Sequence, residues 1–128
     1  MKNLKATDIM KRNVTSAKKN DPAKDIAMQL VSGLFSGMPI TDDKGRVIGV
    51  VTEHDLLNQV REEKDLLKLT AEDVMQKNPI TVDVNTPLIH VLDIMLENGI
   101  LRIPVTDGLH LVGIISRSDI LKTILSSN

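Results

Sequence analysis

Apolar residues follow two spacings along the chain, and both halves run through them in the same order. From Ala23 to Leu34 the apolar positions are 23, 26, 27, 30, 31 and 34; from Leu88 to Ile100 they include 88, 91, 92, 95 and 96. Steps of three and four put one apolar stripe on a helix. Pro22 and Pro87 stand in the first turn of these helices, where a missing N–H is tolerated, and Gly33 with Gly37, and Asn98-Gly99, supply the stops. Runs rich in β-branched residues flank them. Val14-Thr15-Ser16 and Ile80-Thr81-Val82 predict short strands, and two hairpins are predicted, Met38 to Thr41 with Val47 to Thr52 and Arg102 to Thr106 with Leu109 to Ser116. Helices from about Glu53 to Val60 and from Arg117 to Leu125 close the halves. Each half is β-α-β-β-α behind a helical lead-in.

The halves match residue by residue. Ala6-Thr7-Asp8-Ile9-Met10-Lys11 recurs as Ala71-Glu72-Asp73-Val74-Met75-Gln76, so Met10 maps to Met75 at a spacing of 65. The same step takes Ser16 to Thr81, Pro22 to Pro87, and Pro39-Ile40-Thr41-Asp42 to Pro104-Val105-Thr106-Asp107. After the next turn the spacing is 64, taking Gly49 to Gly113 and Asp55 to Asp119. The lost residue falls in a hairpin turn, where length changes are tolerated. This is a tandem duplication. Its boundaries are read as 1–61 for the first motif, 62–70 for a linker that starts in the charged run Arg61-Glu62-Glu63-Lys64-Asp65, and 71–128 for the second.

One stretch stands out in both copies: Gly49-Val50-Val51-Thr52-Glu53-His54-Asp55 and Gly113-Ile114-Ile115-Ser116-Arg117-Ser118-Asp119. The β-branched pair favours a strand. A hydroxyl residue with an acid three places on is a capping box opening a helix. A helix N-terminus offers unpaired N–H groups and a partial positive charge, which suit a phosphate. The Asp one turn in repels phosphate but accepts hydrogen bonds from sugar hydroxyls. That division of labour points to a nucleotide, although capping alone also accounts for the residues.

Composition narrows the classes. The 128 residues carry 16 basic and 17 acidic side chains, a formal net charge of -1, with no basic stripe, which argues against nucleic acid as a partner. Without Cys there is no thiolate nucleophile, disulfide or thiolate metal site. His54, His90 and His110 lack metal-ligand spacing, Ser116 has no triad partners, and there is no Walker-type or GxGxxG loop. No enzyme, no metal and no required cofactor are expected. Nor does Met1-Lys2-Asn3-Leu4-Lys5 lead into a signal-peptide run, and no stretch reaches membrane-span length, so a cytoplasmic protein without membrane contact is expected. Phe35 is the single aromatic among Phe, Tyr and Trp, leaving the core to Leu, Ile, Val and Met.

With Pro-Ile/Val-Thr-Asp before the turn and Gly-h-h-Thr/Ser-x-x-Asp after it, the duplicated unit resembles the CBS domain (cystathionine-β-synthase type). Two in tandem, from about Thr7 to Leu125, resemble a CBS pair or Bateman module of the stand-alone kind. The resemblance implies an α/β (α+β) fold of tandem β-α-β-β-α repeats packed sheet to sheet about a pseudo-twofold axis. It implies two clefts that in many members bind AMP, ADP, ATP or S-adenosylmethionine. Asp55 and Asp119 would then contact ribose hydroxyls, and Thr52 and Ser116 phosphate or ribose. Backbone around Thr15-Ser16, Ile80-Thr81, Met38-Pro39-Ile40 and Ile103-Pro104-Val105 would frame the adenine. The resemblance further implies a regulatory or sensor module that relays occupancy to an unidentified effector protein. A homodimer is expected through the last helices, whose apolar positions Leu56, Leu57, Ile120, Leu121, Ile124 and Leu125 exceed what one internal face needs. The alternative is a ligand-free dimerisation or scaffold module.

Two arginines bear on that choice. Arg117 is expected as an exposed cation in the first turn of its helix, where it opposes the helix dipole, a cost that makes sense if an anion binds there; a plain solvated Arg is the alternative. Its repeat counterpart, Glu53, would repel phosphate. Arg102, between Leu101 and Ile103, is the other basic candidate, and its counterpart is Gly37. The site built on Ser116, Arg117 and Asp119 is therefore expected to be the tighter for AMP, with the adenine held between Ile, Val and Met side chains rather than against Phe35.

Overall fold

The period change read from the sequence is realised as alternating helices and strands, α1 (Ala6–Ile9), β1 (Ala17–Lys18), α2 (Ala23–Gly33), β2 (Gly37–Thr41), β3 (Val47–Thr52) and α3 (Glu53–Arg61). A 3-10 turn at Leu66–Lys68 leads into α4 (Ala71–Val74), β4 (Gln76–Lys77), β5 (Val82–Asp83), α5 (Leu88–Glu97), β6 (Arg102–Asp107), β7 (His110–Ser116) and α6 (Arg117–Ser126). The computed structural model describes residues 3–126. Pro22 and Pro87 stand at the N-caps of α2 and α5, one residue earlier than the first turn, and Ile26 and Val91 donate back to their carbonyls.

The first strand of each repeat lies further along than the sequence suggests. Val14-Thr15-Ser16 and Ile80-Thr81 carry no strand pairing; pairing starts at Ala17 and Val82. The cause is across the ladder. Ala17 and Val82 face Ile40 and Val105, the residues just after Pro39 and Pro104. A proline nitrogen has no hydrogen to give a ladder bond, so parallel pairing begins beyond it.

Two units form, and they divide the repeats unevenly. One holds residues 15–79 with a four-stranded sheet in the order β1-β2-β3-β4; the other joins the chain up to Val14 to the chain from Ile80, with a three-stranded sheet in the order β5-β6-β7. Each lead-in thus packs on the body of the other repeat: β4 pairs with β3, and Lys11 exchanges backbone bonds with Ile114 in β7. The first unit's core gathers Ile26, Leu30, Met38, Ile40, Val51, Leu56 and Val74; Leu66 and Leu69, in the stretch read as a linker, pack against it. The second is built on Met10, Leu88, Val91, Met95, Ile103, Val105, Ile115 and Ile120.

The repeated glycine of the motif is explained by this exchange. A Cβ on Gly113 would fall 2.5 and 2.7 Å from Met10 Sδ and Cγ, and one on Gly49 would collide with the Met75 side chain, 2.8 Å from its Cγ. The bare backbone lets the lead-in methionine lie directly on the strand.

Candidate functional site

Each β-strand that ends the motif runs without a break into a helix, and the capping box forms in both. In the first unit Thr52 N–H and Oγ–H donate to Asp55 Oδ2, both at 2.8 Å, and Asp55 N–H donates back to Thr52 Oγ1 at 3.2 Å. In the second, Ser116 N–H donates to Asp119 Oδ2 at 2.9 Å and Asp119 N–H to Ser116 Oγ at 3.0 Å. The capping reading is therefore satisfied in full, and it also aims each carboxylate.

What lies beyond each carboxylate differs. Gln76 Nε2 donates to both oxygens of Asp55, at 3.0 and 3.1 Å. In the other unit the residue at that place is Lys11, whose Nζ stands 3.4 Å from Asp119 Oδ1. Lys11 and Gln76 are repeat counterparts, each following a lead-in methionine. Neither Lys11 nor Gln76 stands out in the sequence by itself. The register of the duplication carried the signal, since it aligns a cation with an amide beside the aligned motifs.

Asp119 is buried, with 8% of its surface exposed. Burial pushes its pKa up, but the Ser116 amide and hydroxyl and the Lys11 ammonium outweigh that, and the carboxyl lies below its usual value. Arg102 pairs across the hairpin with Ser116, which brings its guanidinium within electrostatic reach of Asp119. Burial lowers the Arg102 pKa, and Asp119 opposes that shift.

Arg117 corrects an expectation. It is half-buried rather than an exposed cation: its Nε donates to Ile100 O at 2.9 Å, and its N–H to Leu101 O at 3.1 Å. The turn after α5 holds a carbonyl that the guanidinium satisfies. Glu53, its counterpart, makes the matching backbone bond to Ser36 O at 3.0 Å.

The remaining candidates divide. Met38, Pro39, Ile40 and Ile103 are almost wholly buried, and Pro104 is buried. Their side chains belong to the core. Ser16 is exposed and Thr81 half-buried, each just before its short strand. Phe35 packs partly buried on the first core, over Gly33. The three histidines are exposed, and among the described residues no cluster of His, Asp and Glu could hold a metal ion.

The CBS domain model matches residues 6–62 and again 71–126. The chain belongs to the CBS domain family. As a CBS pair it is 33% identical, over 97% of its length, to the uncharacterized protein MJ1404 of Methanocaldococcus jannaschii. It spans 32% of that relative, and 63% and 40% of the next two curated relatives. Among solved structures it resembles CBSX2 in complex with AMP, at 28% identity and a TM-score of 0.86, covering 98% of each chain; CBSX2 comes from Arabidopsis thaliana. It also resembles the CBS domain pair of protein MJ0100 in complex with 5′-methylthioadenosine and S-adenosyl-L-methionine, at 26% identity, a TM-score of 0.84 and 98% coverage of each chain.

Proposed function

We propose that this CBS pair is a regulatory module that binds an adenosine ligand (AMP, ADP, ATP or S-adenosylmethionine) at its two strand-to-helix junctions and relays occupancy to a partner. The observation that carries the reading is the Ser116–Asp119 junction: a hydroxyl, helix amides and an ionised, buried carboxylate, with Lys11 and Arg102 at hand. Ribose hydroxyls would donate to Asp119, and a phosphate would meet the α6 amides and the cations. The complexes of CBSX2 with AMP and of MJ0100 with two adenosine compounds support this class of ligand.

Relay would work by population shift. A ligand favours whichever arrangement binds it better, and a partner reads that arrangement. The partner set includes a second copy of the chain. Leu57 and Val60 on α3, and Leu121 and Leu125 on α6, are each at least half exposed, more apolar surface than a helix face meeting water needs. No helix among the described residues is long and apolar enough to cross a membrane.

One observation favours the alternative, a ligand-free scaffold, for the first unit alone: Gln76 and Thr52 already occupy both oxygens of Asp55. A thermal-shift panel of AMP, ADP, ATP, S-adenosylmethionine and a guanosine control separates the readings. A ligand at about 100 times its dissociation constant adds roughly 2.7 kcal/mol to stability. Stabilisation by an adenosine compound and not by the control supports the proposal; no shift with any of them contradicts it.

A further inference from the structure

The two junctions share their capping boxes, so whatever distinguishes their ligands must lie in the residues around the boxes. Three repeat pairs differ there, and all in one direction. Lys11, Arg102 and Arg117 stand where the other copy has Gln76, Gly37 and Glu53. Asp119 thus has the Lys11 ammonium against it and the Arg102 guanidinium within electrostatic reach, while Asp55 has a second carboxylate two residues before it and no basic residue among those counterparts. Arg117 spends its Nε on a backbone carbonyl and Arg102 is half-buried. Lys11 is the exposed member, with 64% of its side chain exposed and one contact to Asp119 Oδ1.

The acceptors differ in the same sense. A carboxylate offers about four acceptor positions. Asp55 accepts from Thr52 N–H and Thr52 Oγ–H on Oδ2 and from Gln76 Nε2 on both oxygens, so a ribose there competes with the amide. Asp119 accepts from Ser116 N–H and Lys11, with the Ser116 hydroxyl also stabilising it, and no side-chain amide stands where Gln76 meets Asp55. It keeps capacity for sugar hydroxyls, and two further ammonium protons of Lys11 are left for a phosphate.

We propose that the two junctions sort adenosine ligands by charge: Lys11 commits the Asp119 junction to phosphorylated adenosines, and Gln76 leaves the Asp55 junction to uncharged or sulfonium-bearing ones. The inference rests on the adenosine-binding reading above and names the ligand class for each site. Lys11 contacts the phosphate directly while retaining Asp119, so its effect depends on the phosphate and not on the nucleoside.

The test is calorimetric titration of AMP and of adenosine, at one ionic strength, into the wild-type chain and the Lys11→Gln, Lys11→Arg and Gln76→Lys variants. Lys11→Gln is expected to weaken the tight AMP site at least about tenfold, as for one lost charge-assisted bond, with adenosine changed less than about twofold. Lys11→Arg should restore AMP binding, and Gln76→Lys should strengthen AMP at the weak site. Equal losses for AMP and adenosine in Lys11→Gln, or AMP binding untouched by all three variants, overturn the sorting while leaving the adenosine reading in place. If neither compound binds the wild-type chain, both fall together.

Discussion

The Lys11 ammonium and the Asp119 carboxylate meet at 3.4 Å, although one lies in the first lead-in and the other in the last helix. The contact follows from the exchange of lead-ins, which seats each on the opposite repeat's motif. Any ligand that engages Asp119 therefore touches the hold on the N-terminal lead-in as well, giving the proposed relay a physical route.

The Asp119 carboxylate, held by Ser116 and by Lys11, has a pH signature. The Asp119 carboxyl lies below its ordinary 3.8 in the folded chain. A depressed folded value means the ionised group stabilises the fold above the unfolded pKa, and this contribution is lost as pH falls through the folded value. Chemical denaturation at several pH values should show the stability gap between wild type and Asp119→Asn to be widest above about pH 5 and to shrink below about pH 4. A gap that is constant down to about pH 2 would contradict the assignment.

The lead-in methionines predict a reciprocal rescue. Gly113→Ala drives a methyl into Met10 and should cost about 1–3 kcal/mol, read by thermal or denaturant unfolding. Adding Met10→Ala should recover part of that loss, because the Sδ and Cγ it strikes are gone and only the Met10 Cβ, 2.9 Å away, remains. Purely additive losses would mean the two side chains do not meet.

Removing the cap hydroxyl should separate stability from ligand binding. Ser116→Ala strips the acceptor from Asp119 N–H and should cost about 1 kcal/mol of stability. Thr52→Ala should cost a similar amount. If both junctions were only caps, AMP titration of the folded variants would show no change beyond that of stability.

The exposed apolar residues of α3 and α6 predict self-association. Sedimentation of the wild-type chain at micromolar concentration should give a dimer, and Leu121→Asp, at a position 61% exposed, should shift it to monomer with little change in unfolding. Monomer alone for the wild type contradicts the second-copy partner.

The fold was legible wherever a pattern repeated. Duplicated register, helical spacing around Ile26 and Val91, and the hairpins built on Pro39 and Pro104 all appear at their places. The short first strands were misread because Thr15-Ser16 and Ile80-Thr81 have strand-forming residues, yet the decisive fact, a proline across the ladder, belongs to a different segment. Burial is likewise not announced by any local pattern. Met38, Ile40 and Ile103 look like available apolar residues in a sequence, and only burial shows them committed to the core. Lys11 and Gln76 escaped notice because their importance arises from the lead-in exchange, which no local pattern announces. Arg117 was legible as an oddity of charge, but its bond to the Ile100 carbonyl depends on where the turn after α5 falls.

The central claim is adenosine binding, tightest at the Asp119 junction. Calorimetric titration of AMP into wild type, Asp55→Ala and Asp119→Ala tests it most directly, with thermal unfolding to establish that each variant is folded. Asp119→Ala should abolish the tighter site while Asp55→Ala keeps it, with the wild-type sites at least about tenfold apart. A tight site that survives in Asp119→Ala and disappears in Asp55→Ala would contradict it.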